Sequence, residues 1–315
     1  MPEKPYIDPE IIPSLERMQA RMASRQPMTA VDPKIIRQRA NAEFAPLNQH
    51  PPNLALIKDI QIEGAFGLRK ARLYDALGER EDAPGLIYFH GGGWIVGDLE
   101  SEDTKLRHLA IASGVRIVSY DYVLAPEHKF PQPLDDCVAA AKSIHSNAHS
   151  LGLASRQLAI GGSSAGANLA LSTALKLRDE KHSWLQYMLL FYGTYDMCGK
   201  PPSRRLFNSF GGGTEAMEFF FSLYLQGKSE RRNPLASPLF AEMTGLPPAF
   251  INAAGLDVLR DDSRNLVEKL LQAGIETRYE EVPGVTHGFT LLTHEVRAAR
   301  KIIRTAGQAL HSALA

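Results

Sequence analysis

The chain has 315 residues with 35 basic and 35 acidic side chains, so its formal net charge is zero. No long basic run is present, which argues against nucleic acid or an anionic membrane surface as a partner. Hydrophobic residues make up 44% of the chain, enough for a large packed core, yet no unbroken apolar stretch reaches the roughly 20 residues of a membrane span.

The start, Met1-Pro2-Glu3-Lys4-Pro5, carries no apolar signal core. The two cysteines, Cys137 and Cys198, have neither metal-ligand spacing nor a disulfide framework. Both features predict a cytoplasmic protein with free thiols.

Residues 8–45 predict two helical pieces broken near Pro27 and Pro33, with Ile11, Ile12, Leu15, Met18 and Met22 at helical spacing. Pro46 to Pro52 reads as a linker. Alternation over 56–63 and 68–75 predicts a pair of strands around Gly64 and Gly67. Short apolar runs follow at 85–90, 115–121, 157–162, 186–192, 248–254 and 276–282, as buried strands require. Amphipathic stretches at 103–113, 134–149, 166–180, 262–273 and 294–313 separate most of them. This alternation predicts an α/β protein: a mostly parallel eight-stranded sheet with helices on both faces.

Residues 200–245 interrupt the pattern. They hold Phe207, Phe210, Phe219, Phe220, Phe221 and Tyr224, and the gap is too long for a simple connection. It predicts an inserted helical element. Its rings either pack the insertion onto the core or wall an apolar pocket.

Residues 162–166 read Gly-Ser-Ser-Ala-Gly, with Ser164 at the centre of a G-x-S-x-G pattern. Alone this is a modest signal. Its setting between an apolar run and a predicted helix is the strand–turn–helix that a nucleophile elbow needs. Glycine at 162 and 166 lets strand and helix approach closely, and the helix N-terminus favours negative charge. A phosphate loop is the competing reading, but no Gly-Lys-Ser/Thr ending follows.

His90-Gly91-Gly92-Gly93-Trp94 comes directly after another apolar run. Its glycines expose backbone N–H groups, which an acyl-transfer enzyme needs where a carbonyl oxygen turns negative. The N–H groups of Gly91 and Gly92, with that of Ala165, are the candidate donors.

In a hydrolase of this kind the order is serine, then acid, then histidine. Of the histidines after Ser164, His182 borders a helix end, while His294 and His311 fall in the predicted last helix. His287 lies in a loop after a strand, where catalytic side chains converge. Asp261 and Asp262 open a predicted helix as caps or first-turn acids. Asp257 comes just after the apolar run 249–254, in the loop at that strand's end, and is the better partner for His287.

Taken together these stretches resemble the bacterial hormone-sensitive lipase-like carboxylesterases, within the α/β-hydrolase fold. The resemblance covers about residues 55–310. It rests on His90-Gly91-Gly92-Gly93-Trp94, on Asp121-Tyr122-Val123-Leu124-Ala125-Pro126-Glu127-His128, on Leu246-Pro247-Pro248-Ala249, on Asp257-Val258-Leu259-Arg260-Asp261-Asp262 and on His287-Gly288-Phe289. Departures are Ser163 in place of Asp or Thr, Val123 in place of Arg and Val258 in place of Pro.

The resemblance implies a helical cap, made by residues 1–50 and an insertion around 200–230, over a catalytic domain spanning the rest of 51–315. It also implies short-chain acyl esters as substrates and frequent homodimers. The expected chemistry is an acyl-enzyme on Ser164, with His287 as base, Asp257 as its partner, and no metal or cofactor. Trp94, Ser163 and Phe210 are candidate substrate contacts. Glu127 and His128 are read as structural supports of their loop. Two rivals stay open: an amidase, formamidase or acyltransferase using the same triad, and a non-catalytic binder of small molecules.

Overall fold

The computed structural model describes residues 5–23, 32–210 and 213–315. The expected helix break near Pro27 and the side chain of Met22 lie outside the described residues. The N-terminal segment forms α1 (Ile12–Ala23) and α2 (Pro33–Phe44). Asp32 accepts from Lys34 N–H at the start of α2, and Pro33 suits a first helical position. The expected linker begins as a short 3-10 turn, Ala45–Asn48.

Among the described residues eight strands follow: β1 (Leu56–Gly64), β2 (Gly67–Asp75), β3 (Ala83–Phe89), β4 (Arg116–Tyr120), β5 (Leu153–Ser163), β6 (Leu185–Phe191), β7 (Ala249–Ala254) and β8 (Thr277–Val282). Each overlaps a predicted one. The sheet order is β1-β2-β4-β3-β5-β6-β7-β8. β2 runs antiparallel to β1 and β4, and the remaining pairs are parallel.

β3 shows why the central strands read as unbroken apolar runs. Its side chains alternate faces, and both faces are covered. Leu86 and Tyr88 enter one core with Leu106 and Leu109 of α3 (Asp103–Ser113). Ile87 and Phe89 enter the other with Leu134 of α4 (Gln132–Ser146) and Ala170 of α5 (Ala165–Asp179). The insertion supplies α6 (Pro202–Leu206) and α7 (Gly213–Tyr224). α8 (Arg260–Gln272) joins the α4/α5 side through Leu266 and Leu270. α9 (Arg297–Leu314) lies with α3 on the opposite side, burying Ala299, Ile302, Ile303, Ala306 and Leu310 at helical spacing.

One detail differs from expectation. α9 begins at Arg297, so His294 precedes the helix. Asp261 and Asp262 lie in the first turn of α8 as expected, and they also hold the insertion. Asp261 accepts from Ser203 N–H at 2.8 Å, and Asp262 pairs with the buried Arg204 guanidinium at 3.0 Å. Asp262 also accepts from the N–H groups of Tyr195 and Asp196.

The N-terminal segment is tied to the loops at the C-terminal edge of the sheet. Arg37 donates to the carbonyls of Ile95 and Ala125 and forms a two-pronged pair with Glu127. His128 Nδ1 lies 2.9 Å from Gln132 Oε1, so both residues support the loop as expected. Among the described residues, no helix is long and apolar enough to cross a membrane.

Candidate active site

β5 ends at Ser163 and α5 begins at Ala165, leaving Ser164 alone in the turn. Its φ of 53° and ψ of −117° are strained for a side-chain-bearing residue. The turn is so tight that a Cβ on Gly162 would meet the Gly166 carbonyl carbon at 2.4 Å. A Cβ on Gly166 would meet the Phe89 oxygen at 2.1 Å. Both positions therefore exclude any side chain. Ser164 stands where a serine commonly caps its own helix, but its side chain makes no cap bond.

That hydroxyl instead faces His287, with 2.9 Å between Oγ and Nε2. His287 Nδ1 lies 2.6 Å from Asp257 Oδ2. Asp257 is 1% exposed, and its other oxygen accepts from Leu259 N–H. A buried carboxylate can only accept, which places the proton on Nδ1 and leaves Nε2 to accept from Ser164. Burial opposes a charged His287. The charge of Asp257, its hydrogen bond and the more distant Glu102 outweigh that effect, so the imidazole pKa is raised above its usual value. The structure thus brings together Ser164, His287 and Asp257. The other candidates stand apart: His182 is exposed, and His311 bonds the carbonyl of Ser113.

The glycine loop corrects one expectation. Gly91 N–H is not free for an oxyanion, because it donates to Glu102 Oε1 at 2.7 Å. The N–H groups of Gly92 and Gly93 have no acceptor among the described residues. The Ala165 N–H is one of the unpaired donors in the first turn of α5. Gly92, Gly93 and Ala165 are therefore the available set. Three consecutive glycines gave no means of telling Gly93 from Gly91.

The three candidate substrate contacts fare differently. Trp94 borders the cavity but is buried, with its ring stacked on Tyr224 at 4.2 Å. Ser163 also borders the cavity, but its hydroxyl is taken by Tyr88, Lys105 and Glu102. Phe210 is not among the lining residues. It packs on Phe207 beside Leu256 and Val258, because α7 rather than the segment before it faces the cavity. The insertion's rings divide accordingly: Tyr224 is buried in the core, Phe221 is buried there and also borders the pocket, and Phe220 walls the pocket.

The pocket has a volume of about 590 Å³ and opens directly above Ser164 and His287. Leu15, Met18, Leu47, Met217, Phe220 and Leu291 give it an apolar wall. His294, which was expected on the last helix, lies at this wall instead. Among the described residues, no cluster of His, Cys, Asp or Glu could hold a metal ion.

Sequence reasoning missed Glu102 and Lys105, both buried. Burial disfavours the Glu102 charge, but Lys105 and the Gly91 N–H outweigh it and hold this carboxyl below its usual pKa. Burial lowers the Lys105 pKa, and Glu102 recovers only part of that loss. In the sequence the two look like an ordinary i,i+3 surface pair at a helix start, so no local signal marks them.

A family profile described as an alpha/beta hydrolase fold matches residues 86–291. Esterase LipI of Mycobacterium tuberculosis is 31% identical over 303 residues, covering 94% of this chain and 92% of that protein. This chain belongs to the bacterial hormone-sensitive lipase-like carboxylesterases, within the α/β-hydrolase fold. Solved esterase structures agree. A hyperthermophilic esterase from the archaeon Pyrobaculum calidifontis superposes with a TM-score of 0.92 at 31% identity, covering 98% of this chain and 100% of that one. An ester hydrolase from the metagenome of Lake Arreo, complexed with a bipyridine phosphonate derivative, gives a TM-score of 0.93 at 33% identity, covering 97% and 98%.

Proposed function

We propose that this serine carboxylesterase hydrolyses short-chain acyl esters by two acyl transfers through Ser164. The observation that carries the proposal is the unbroken chain from Asp257 to His287 at 2.6 Å and from His287 to Ser164 at 2.9 Å. His287 Nε2 takes the Ser164 proton as Oγ attacks the ester carbonyl. The Nδ1 bond to Asp257 holds the tautomer and stabilises the imidazolium. His287 then protonates the departing alcohol. Water, deprotonated by the same Nε2, hydrolyses the acyl-enzyme.

The negative charge forms on the former carbonyl oxygen. The N–H groups of Gly92, Gly93 and Ala165 meet it there, each worth about 10²–10³ in rate. α5 adds its N-terminal dipole on the same side.

The N-terminal segment and the insertion act as a cap. Leu15 and Met18 of α1, Leu47 after α2, and Met217 and Phe220 of α7 supply the apolar wall. Phe220 lies so close to Gly93 that a Cβ there would meet its ring at 2.7 Å. This close wall beside the oxyanion donors supports a short acyl group. The relatives named above are esterases, which favours ester over amide, formamide or acyl-acceptor chemistry.

The test is a turnover panel of 4-nitrophenyl esters from acetate to decanoate, run on the wild type and on Ser164→Ala. Highest kcat/KM for the short esters, lost in the variant, is expected. A clear preference for decanoate would overturn the chain-length reading. Full activity in Ser164→Ala would overturn the assignment of the nucleophile.

A further inference from the structure

A group of four buried polar side chains lies beneath the site and takes no part in the mechanism above. Glu102 and Lys105 reach it from the start of α3, Tyr88 from β3 and Ser163 from the end of β5. Glu102 is 4% exposed and Lys105 is 1% exposed. The Lys105 ammonium donates to Glu102 Oε2 at 2.8 Å, to Tyr88 Oη at 2.7 Å and to Ser163 Oγ. All three of its protons are used. It also lies 4.2 Å from the centre of the Phe191 ring. The carbonyl of Phe191 accepts the Ser164 N–H.

Glu102 is the centre of the group. Its Oε2 accepts from Tyr88 and Ser163 as well as from Lys105, and its Oε1 accepts from Gly91 N–H. Gly91 adjoins the oxyanion donors at 92 and 93, and Ser163 adjoins Ser164. One carboxylate therefore bridges the two backbone segments that must face each other across the reacting carbonyl.

Stability alone does not explain such a group. Burying an ion pair removes two charges from water, and apolar residues of similar volume commonly do as well or better. A fixed carboxylate with both oxygens engaged does what apolar packing cannot: it sets a direction and a distance for each donor.

We propose that Glu102, neutralised by Lys105, is a positioning residue that holds the oxyanion loop and the serine turn in one register. It acts through Gly91 and Ser163. The proposal rests on the assignment of Ser164 as nucleophile and of the Gly92 and Gly93 N–H groups as oxyanion donors.

The experiment compares Glu102→Gln, Lys105→Met, the double variant and the milder Ser163→Ala, with kcat counted per site titrated by a fluorophosphonate. Wild-type titration with a Ser164→Ala control comes first. If the wild type is not labelled on Ser164, the catalytic assignment itself fails. If it is labelled, the variants test this proposal alone.

Misplacing the donors in Glu102→Gln and Lys105→Met is expected to lower kcat about 10- to 100-fold. KM should change little, because the donors act on the transition state. Ser163→Ala, which loses one hydroxyl and folds most readily, should show a smaller fall of the same kind. The acid limb of kcat/KM should move to lower pH in Glu102→Gln, where a negative charge that raises the His287 pKa is lost. A purely structural role would lower the fraction of titratable sites and leave kcat per titrated site unchanged.

The double variant should recover thermal stability relative to the single ones while kcat stays low. Recovery of wild-type kcat together with stability would overturn the proposal. So would wild-type kcat per titrated site in Ser163→Ala and in whichever charge variant folds.

Discussion

Replacing Gly92 by alanine tests the oxyanion loop at its least forgiving point. Gly92 has a φ of 122°, which L-residues rarely adopt, and its added Cβ would stand 2.1 Å from the Val96 oxygen and 2.7 Å from its carbonyl carbon. These are backbone atoms. They cannot rotate away, because Ile95 N–H and Val96 N–H both donate to the Gly92 carbonyl and close the turn. The loop must therefore shift. Backbone strain of this kind costs about 1–3 kcal/mol. For a chain of this size it lowers Tm by about 1.5 °C per kcal/mol. The effect on catalysis is larger, since losing one oxyanion donor removes about 10²–10³ in kcat. The expected Gly92→Ala phenotype is a folded protein, slightly less stable, with kcat down at least about 100-fold and KM little changed. Steady-state kinetics on a short 4-nitrophenyl ester, normalised by active-site titration, together with a circular dichroism melt, measures both. A folded Gly92→Ala protein with kcat within a few-fold of wild type would refute the assignment of these N–H groups.

Other outcomes follow from the same geometry. His287 must be neutral to accept the Ser164 proton, and its pKa is raised, so kcat/KM should fall with decreasing pH at a midpoint above the usual histidine value near 6.5. Asp257→Asn removes the charge responsible for that rise; a pH–rate profile should show kcat down about 10⁴-fold and the remaining acid limb moved to lower pH. An acid limb that does not move in Asp257→Asn would contradict the pairing. Asp262→Ala leaves the Arg204 guanidinium buried without its partner, and urea unfolding should register a loss of about 3–5 kcal/mol. A loss under about 1 kcal/mol would show that this pair does not anchor the insertion.

The sheet was legible because its central strands are covered on both faces. Leu86, Ile87, Tyr88 and Phe89 point alternately into two different cores, and a strand buried that way is a short apolar run. The chain order of Ser164, Asp257 and His287 was legible because each follows a strand at the same edge of the sheet. Side-chain function within glycine and aromatic clusters was not. Gly91 and Gly93 are chemically identical, and Glu102, 11 residues downstream of Gly91, decides which N–H is free. Phe210, Phe220 and Tyr224 share one composition signal, yet they pack on Phe207, wall the pocket and stack on Trp94 respectively. Asp261 and Asp262 were legible as first-turn acids of α8 because helix starts are local, whereas Ser203 and Arg204, the groups they also bind, are more than fifty residues away. Tertiary partners decided each of these cases, and no local window contains them.

Catalysis by this esterase depends on the covalent step at Ser164. Intact-mass measurement after brief exposure to a fluorophosphonate, followed by peptide mapping, reports that step directly. One adduct per chain is expected, on the peptide bearing Ser164. It should be absent from Ser164→Ala, which should also lose ester turnover. An adduct on another residue, or a Ser164→Ala protein that still hydrolyses short esters at the wild-type rate, would contradict it.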